Sequence, residues 1–407
     1  MVLEKYREQI YNCQRCSWCK HFVDIYKGID GICAVREYHP MGTWDFNFAR
    51  GQVQIARGIL EKKFKITPDL INILFDACTT CGSCTEHCII YMGWRGFNKN
   101  IGFKPYLDPT EVIEALRAEI VEQGLAPLKP HKKIAQNLKD PNIFNAWGGQ
   151  RKERWNWMPA DIQPDPKSEI LFYAGCTSPY KVPEIVTSAV KVLNAGGVKF
   201  NTMGDDEWDC GSTLFRTGQW DLAKECMEYN LKKWKELGIK TIVTHCAGCY
   251  RTFYKDYPKW SGDAKEFEIL HLSQYIKKLM DEGKLKIKRK VKNVKVTYQD
   301  PCHLGRHCGV FDPPREVLKA IYPNFVEMFP TREHAFCCGA AGGMKTYDNK
   351  LAVKMGTGQI EKGRATQAEI LVSTCPFCLE NLRDANNKLS HPFKEVVDLA
   401  NIVERAI

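Results

Sequence analysis

No apolar run in this chain approaches the length of a bilayer span; the richest, Leu70 to Phe75 and Ile170 to Ala174, are far too short. The start, Met1-Val2-Leu3-Glu4-Lys5-Tyr6-Arg7, is charged and lacks a secretory apolar core. The expectation is a cytoplasmic protein, membrane-associated only through a partner. A dinucleotide fingerprint is also missing, so flavin or nicotinamide is expected on another subunit. Gly339-Ala340-Ala341-Gly342-Gly343-Met344-Lys345-Thr346 fails as a phosphate loop, because Met344 separates Gly343 from Lys345. Its glycines suit close backbone approach to a cluster instead, with amide N–H groups aimed at sulfide.

What is abundant is cysteine. The 407 residues hold 19 cysteines with 44% apolar residues, a globular composition of two or three domains. Without a secretory leader, that count argues for metal rather than a disulfide framework. The formal charge of +10 counts each cysteine as neutral. Each cubane on four thiolates carries roughly −2, so three or four clusters offset most of the excess. No nucleic-acid partner follows from the charge, although a basic patch suits an acidic redox partner.

Cys78-x2-Cys81-x2-Cys84-x3-Cys88 has the spacing of a ferredoxin [4Fe–4S] motif, in which the fourth cysteine serves the other cluster. Cys13, Cys16 and Cys19 form a second triple, with Cys33 displaced downstream. The expected pairing sets Cys13, Cys16 and Cys19 with Cys88, and Cys78, Cys81 and Cys84 with Cys33. Ile89 stands where proline usually follows such a motif. Zinc is the competing reading, but it prefers two separated CxxC pairs.

The second half is an internal duplication. Ile170 to Cys176 and Val294 to Cys302 read as strands ending at a cysteine. Asp209-Cys210-Gly211 and Cys337-Cys338-Gly339 follow. Strands Thr241 to Thr244 and Glu369 to Ser373 then run into Cys246-Ala247-Gly248-Cys249 and Cys375-Pro376-Phe377-Cys378. Helical patterns at Asp221 to Leu237 and Lys350 to Lys362 fill the gaps, which implies parallel α/β layers with cysteines at strand C-terminal ends. Further helices are expected at Gly51 to Lys62, Thr67 to Phe75 and Asp108 to Gln123. Residues 125–167, rich in proline and tryptophan, read as a connecting arm packed on a neighbour. Within it, Arg151 to Trp157 has a composition that also suits stacking on RNA, with arm packing the stronger reading.

In the second copy, Cys302, Cys337, Cys338, Cys375 and Cys378 supply five thiols, one more than a cubane takes. That excess suggests an unusual iron–sulfur site.

On Asp300-Pro301-Cys302-His303-Leu304-Gly305-Arg306, Cys337-Cys338-Gly339 and Cys375-Pro376-Phe377-Cys378, the duplicated half resembles the CCG cysteine-rich domains of heterodisulfide reductases. With the N-terminal motifs, nearly the whole chain resembles the heterodisulfide reductase D-subunit family. Iron–sulfur subunits of glycolate oxidase and relay subunits of tungsten-type benzoyl-CoA reductase complexes are related. The resemblance implies an α+β chain. Residues 1–124 form a helical two-[4Fe–4S] ferredoxin-like module and 125–167 an arm. Residues 168–290 form a degenerate CCG copy, and 291–407 a complete one. It implies a noncubane [4Fe–4S] cluster on Cys302, Cys337, Cys338, Cys375 and Cys378, of the kind that binds and cleaves a disulfide.

Copy one departs from the pattern with Asp209 in place of the first doublet cysteine. Cys176, Cys210, Cys246 and Cys249 still suffice for a further [4Fe–4S] cubane, the first reading. An Asp209-ligated noncubane comes second, since carboxylates are harder donors than thiolates, and an empty structural copy third.

Cys337, Cys338 and His303 are the candidates for chemistry. His303 and His307 suit either proton donation to a leaving thiolate or hydrogen bonding to cluster sulfur. Cys308 and Cys226 read as packed free thiols. Arg306 and Lys345 suit substrate anchoring or charge balance, and His245 is ambiguous. The expected function is an electron-transfer subunit of an anaerobic oxidoreductase complex. Its partners are other redox subunits: a flavoprotein, or a membrane-bound quinone or cytochrome subunit. A pure relay between a flavoprotein and a larger complex, of the benzoyl-CoA reductase type, is the alternative, and a zinc-binding interaction protein a distant third.

Overall fold

The computed structural model describes the chain except residues 22, 25–27, 43, 64 and 94–104. Those residues fall within the expected N-terminal module and lie outside this description. The fold is mixed, with many helices and small sheets. It divides into two compact units, each assembled from separate stretches of chain. The first comprises Met1–Lys132, Thr213–Trp220 and Pro330–Gln359; the second comprises Lys133–Ser212, Asp221–Phe329 and Ile360–Ile407.

The first unit is helical, with a two-residue antiparallel hairpin, β1 (Val23–Asp24) and β2 (Ile29–Asp30). Helices Ala49–Leu60, Pro68–Asp76 and Pro109–Glu122 lie where the sequence places them. Each of the last two starts with a proline behind a side-chain cap. Thr67 accepts from Leu70 N, and Asp108 accepts from the N–H groups of Thr110 and Glu111. Helix Pro109–Glu122 is buried along most of its length and carries Arg117 into the centre of the unit.

The second unit holds two parallel three-stranded sheets of the same topology. One runs β3 (Ile170–Tyr173), β4 (Thr241–Thr244), β5 (Glu268–His271); the other runs β6 (Val296–Tyr298), β7 (Ile370–Ser373), β8 (Glu395–Asp398). Register agrees as well: Ile170 opposes Thr241 and Thr241 opposes Glu268, while Ile370 opposes Glu395. Each sheet gains an equivalent edge bridge, Leu171 to Asn201 and Val296 to Phe325. Strand interiors are almost wholly buried, as parallel strands covered on both faces must be.

Two differences from the sequence reading have local causes. Residues 129–139 of the expected arm form a helix, Lys129–Lys139. Pro130 sits in its first turn, where a missing N–H costs nothing, so the residue read as punctuation starts the helix. The first strand of each sheet also stops short of its cysteine, at Tyr173 and Tyr298, leaving a short loop before Cys176 and Cys302.

Candidate iron–sulfur sites

In the first unit the two CxxCxxC loops share one backbone shape. Arg15 and Thr80, each just before the second cysteine, have φ of 56° and 50°. Ser17 and Gly82, each just after it, have φ of 70° and 78°. Left-handed backbone is unusual for arginine, serine and threonine, so the matched pairs mark two loops wound around a common kind of centre.

Cys13, Cys16, Cys19 and Cys88 line one recess, together with Arg50 and Leu107. Cys33, Cys78, Cys81 and Cys84 line a second, which Cys19 also borders. The structure therefore brings Cys88 to the first triple and Cys33 to the second. Burial pushes the thiols up, to about 12 for Cys19 and Cys33 and about 11 for Cys78 and Cys88, and neighbouring cysteines add to the rise. Four sulfurs around each recess, with Cys19 and Cys88 in one and Cys33, Cys78 and Cys84 in the other resisting ionisation, form a donor set that a polynuclear iron centre satisfies. Among the described residues, no three His, Cys, Asp or Glu side chains converge on a point that would hold a single ion.

Two arrangements within this unit tie the Cys78–Cys88 segment to the residues flanking Cys337 and Cys338, both of which are buried. Arg117 is fully buried and donates to four carbonyls: Cys78 at 2.7 Å, Leu74 at 3.0 Å, and Arg216 and Gly342 at 2.9 Å each. Gly342 has φ +69°, and a Cβ there would lie 2.6 Å from the Thr79 backbone. The close approach that Gly342 makes is to the backbone of the residue after Cys78. Next to Gly342, the Gly343 carbonyl is 3.0 Å from His131 Nε2. The second tie is His87 Nε2, beside Cys88, at 2.7 Å from His334 Nδ1.

In the second unit, Cys246 and Cys375 occupy equivalent places. Each follows a parallel strand and serves as N-cap of the next helix, Ala247–Arg251 and Pro376–Lys388. A helix N-terminus favours thiolate. The two thiols are hydrogen-bonded to each other. Hydrogen bonds from Cys246 and Cys378, then the N–H groups of Cys378 and Phe377, hold Cys375 well below the usual thiol range. Cys246 is lowered by Cys249 but raised more by Cys375 and burial.

Cys176, Cys210, Cys246, Cys249 and Asp209 interact as one group: burial, then Asp209, Cys210 and Cys246, raise the Cys176 thiol, and Cys210 and Cys246, then burial, raise that of Cys249. Asp209 is 2% exposed and accepts from Gly211 N at 2.8 Å. Its other oxygen makes no hydrogen bond of normal geometry; the nearest candidates are the Cys176 thiol and the Ala146 N–H. Burial raises its carboxyl above the ordinary range. An orphaned buried oxygen among four thiols fits a metal-binding role.

Each copy also locks the loop before its first cysteine with a buried arginine, and spacing alone gave no signal of either. In copy one, Arg154 donates to Glu207 at 2.6 Å and to the Gly175 carbonyl at 2.8 Å. Glu207 in turn accepts from Ala174 N and Gly175 N, both at 2.9 Å. In copy two, Arg315 grips Asp300 bidentately at 2.8 and 2.7 Å and reaches Glu327 at 2.8 Å. Asp300 of the Asp300-Pro301-Cys302 motif is thus an anchor for the cysteine loop. Trp147 donates to Thr177 Oγ1 at 3.0 Å and lies 5.6 Å from the Phe377 ring.

Cys302, Cys375 and Cys378 are buried in this second unit, whereas Cys337 and Cys338 belong to the first. His303 is buried, and burial, then Arg251 and Arg306, push its imidazole well below its ordinary range. Cys226 is core on helix Trp220–Glu236. Cys308 is half-buried, its thiol raised to about 12 by burial. Lys345 Nζ contacts Asn349 at 3.1 Å. His245 is buried with Nε2 2.6 Å from Ser178 Oγ. No helix among the described residues is long and apolar enough to cross a membrane.

The Cysteine-rich domain family (CCG) matches this chain twice, over residues 170–254 and 296–383. The chain is 32% identical over 405 residues to the D subunit of the dihydromethanophenazine:CoB–CoM heterodisulfide reductase of Methanosarcina barkeri, covering 97% of this chain and 93% of that relative. It is 31% identical over 330 residues to the B subunit of the fumarate reductase (CoM/CoB) of Methanothermobacter marburgensis, covering 81% of this chain and 61% of the relative. It is 30% identical over 349 residues to the EtfAB:quinone oxidoreductase of Syntrophomonas wolfei, covering 81% of this chain and 46% of the relative.

Proposed function

The chain belongs to the heterodisulfide reductase D-subunit family of iron–sulfur oxidoreductase subunits, and from that we propose that it passes electrons between a partner and a noncubane [4Fe–4S] site through two N-terminal [4Fe–4S] clusters. Cys13, Cys16, Cys19 and Cys88 hold one N-terminal cluster; Cys33, Cys78, Cys81 and Cys84 hold the other. The noncubane site uses Cys302, Cys337, Cys338, Cys375 and Cys378, an assignment resting on the sequence pattern. When bound, such a cluster supplies one-electron chemistry at sulfur. The substrate class is a disulfide or related sulfur compound.

One observation supports this route. Arg117 and the Gly342–Thr79 contact join the Cys78 loop to the chain just after Cys337 and Cys338. The Cys78 loop is thereby bonded through Arg117 to the chain that follows the cysteine doublet, which suits exchange of electrons between the two. In copy one, a cubane on Cys176, Cys210, Cys246 and Cys249 remains the first reading. The orphaned Asp209 oxygen favours the second, a carboxylate-ligated cluster.

The partners are further redox subunits of one complex, a flavoprotein or a membrane-bound quinone or cytochrome subunit. Iron and sulfide analysis of anaerobically purified protein tests the cluster content; fewer than eight irons per chain would sink the reading. Electron paramagnetic resonance of oxidised, thiol-treated protein then separates reductase from relay. A substrate-dependent signal lost in Cys337→Ser supports chemistry at the noncubane site. No thiol response in the intact complex leaves the chain a pure relay. Asp209→Cys and Asp209→Ala spectra identical to wild type would exclude carboxylate ligation.

A further inference from the structure

Arg251 closes the short helix that Cys246 opens, and a π-helical turn, Thr252–Asp256, follows it directly. Such turns add a residue to the helical register and re-aim the side chains beside them. Arg251 is 1% exposed, with Nε 3.9 Å from Asp256. Its Nη1 atom lies 3.2 Å from His303 Nε2 and 3.2 Å from His307 Nε2. The two rings meet edge to face, 5.3 Å apart at 78°.

A guanidinium nitrogen carries two hydrogens and offers no lone pair. Nη1 therefore donates once to each histidine, and both Nε2 atoms accept. In each neutral ring the proton is left on Nδ1. The other side of His303 meets Gly248. A Cβ on that glycine would lie 3.9 Å from His303 Nδ1, 3.6 Å from Cys246 Sγ and 3.3 Å from Ser212 Oγ. One small space, open because residue 248 is glycine, is thus bordered by an N–H, a thiol and a hydroxyl.

We propose that Arg251 is a positioning residue that fixes His303 as a neutral Nδ1–H donor toward the sulfur at Cys246. A histidine of copy two thereby tunes the cluster carried by copy one. The inference rests on the reading that Cys176, Cys210, Cys246 and Cys249 hold such a cluster. An N–H directed at cluster sulfur stabilises the reduced, more negative state and raises its potential. The duplication does not repeat the device. Glu380 stands at the position of Arg251 relative to the CxxC pair, and Thr177 follows Cys176 where His303 follows Cys302.

The test is a redox titration of the anaerobically prepared full chain, followed by electron paramagnetic resonance. The copy-one signal is identified by its loss in Cys246→Ser. His303→Gln places an amide near Nε2 and is expected to shift that signal to more negative potential. His303→Asn places an amide near Nδ1 and is expected to stay near wild type. Arg251→Met is expected to shift the signal in the same direction as His303→Gln, and the double variant to shift it no further than His303→Gln alone. Equal potentials for the two His303 variants, or additive shifts in the double variant, would overturn the proposal; additivity would mean that Arg251 acts by charge alone. Should Arg251→Met not fold, the two His303 variants decide the question. A Cys246→Ser chain with unchanged iron and unchanged signals fails the cluster reading itself and removes the donor's target.

Discussion

The Arg154 guanidinium meets the Glu207 carboxylate at 2.6 Å, with side chains 1% and 0% exposed. Burial raises the Glu207 carboxyl, and Arg154 opposes that rise. Removing one partner leaves a buried charge uncompensated, so Arg154→Met is expected to cost about 3–5 kcal/mol. Because Glu207 also holds Ala174 N and Gly175 N, the variant is expected to lose iron at Cys176. Arg216→Met breaks the equally buried pair with Glu114, 2.9 Å apart, at similar cost but with copy-one iron retained. Chemical denaturation together with iron counts checks both; equal iron loss in the two variants would refute the specific role.

The pairing of the N-terminal cysteines predicts which substitutions share a phenotype. Cys88→Ser is expected to alter the same reduced-state resonance as Cys13→Ser, and Cys33→Ser the same one as Cys78→Ser. Spectra in which Cys88→Ser instead matches Cys78→Ser would reverse the assignment.

Gly342 and Gly124 separate backbone strain from collision. Both have positive φ, +69° and +73°, but only at Gly342 would a Cβ meet backbone, at 2.6 Å; at Gly124 nothing lies within 4 Å. Gly124→Ala is expected to cost about 1 kcal/mol from conformation alone. Gly342→Ala adds overpacking, for a total of about 2–4 kcal/mol. It is also expected to perturb the resonance of the cluster on Cys78, which Gly124→Ala leaves alone. Equal stability of the two variants in denaturant would contradict the close approach.

Acid sensitivity follows from His131. Burial lowers its imidazole from 6.5 to about 4, with Arg117 contributing in the same direction. Between those values the unfolded chain binds a proton that the folded chain refuses. Stability from this residue is therefore complete above pH 6.5 and is lost as pH falls toward 4, a change on the order of 3 kcal/mol. His131→Gln keeps a donor for the Gly343 carbonyl but cannot titrate. Denaturation midpoints at pH 7 and pH 5 are expected to differ more for wild type than for the variant; parallel losses would show that His131 does not contribute.

Much of the local structure was readable in the sequence. The duplicated strands and the helices at Ala49–Leu60, Pro68–Asp76 and Pro109–Glu122 follow from apolar periodicity, caps and cysteine intervals, which are short-range signals. Strands β5 and β8 were not anticipated, because neither leads to a cysteine. Helix Lys129–Lys139 was masked by a proline that favours the first turn but reads as a breaker. The pairs that hold the sites, Arg154 with Glu207 and Arg251 with His303, join residues more than fifty positions apart, and no periodicity announces such a partner. The assignment of Thr213–Trp220 and Pro330–Gln359 to the first unit was likewise invisible, since burial there depends on helices far away in sequence.

That last feature bears on how the protein is made. Domains that close early can fold while the ribosome is still at work on the remainder. Here the unit that begins at Met1 draws its final segment from Pro330–Gln359, so its core stays incomplete until most of the chain has been synthesised. The cysteines of this unit are translated long before its final segment. A chain truncated before residue 359 is therefore expected to emerge as a substrate for proteolysis rather than as a functional fragment.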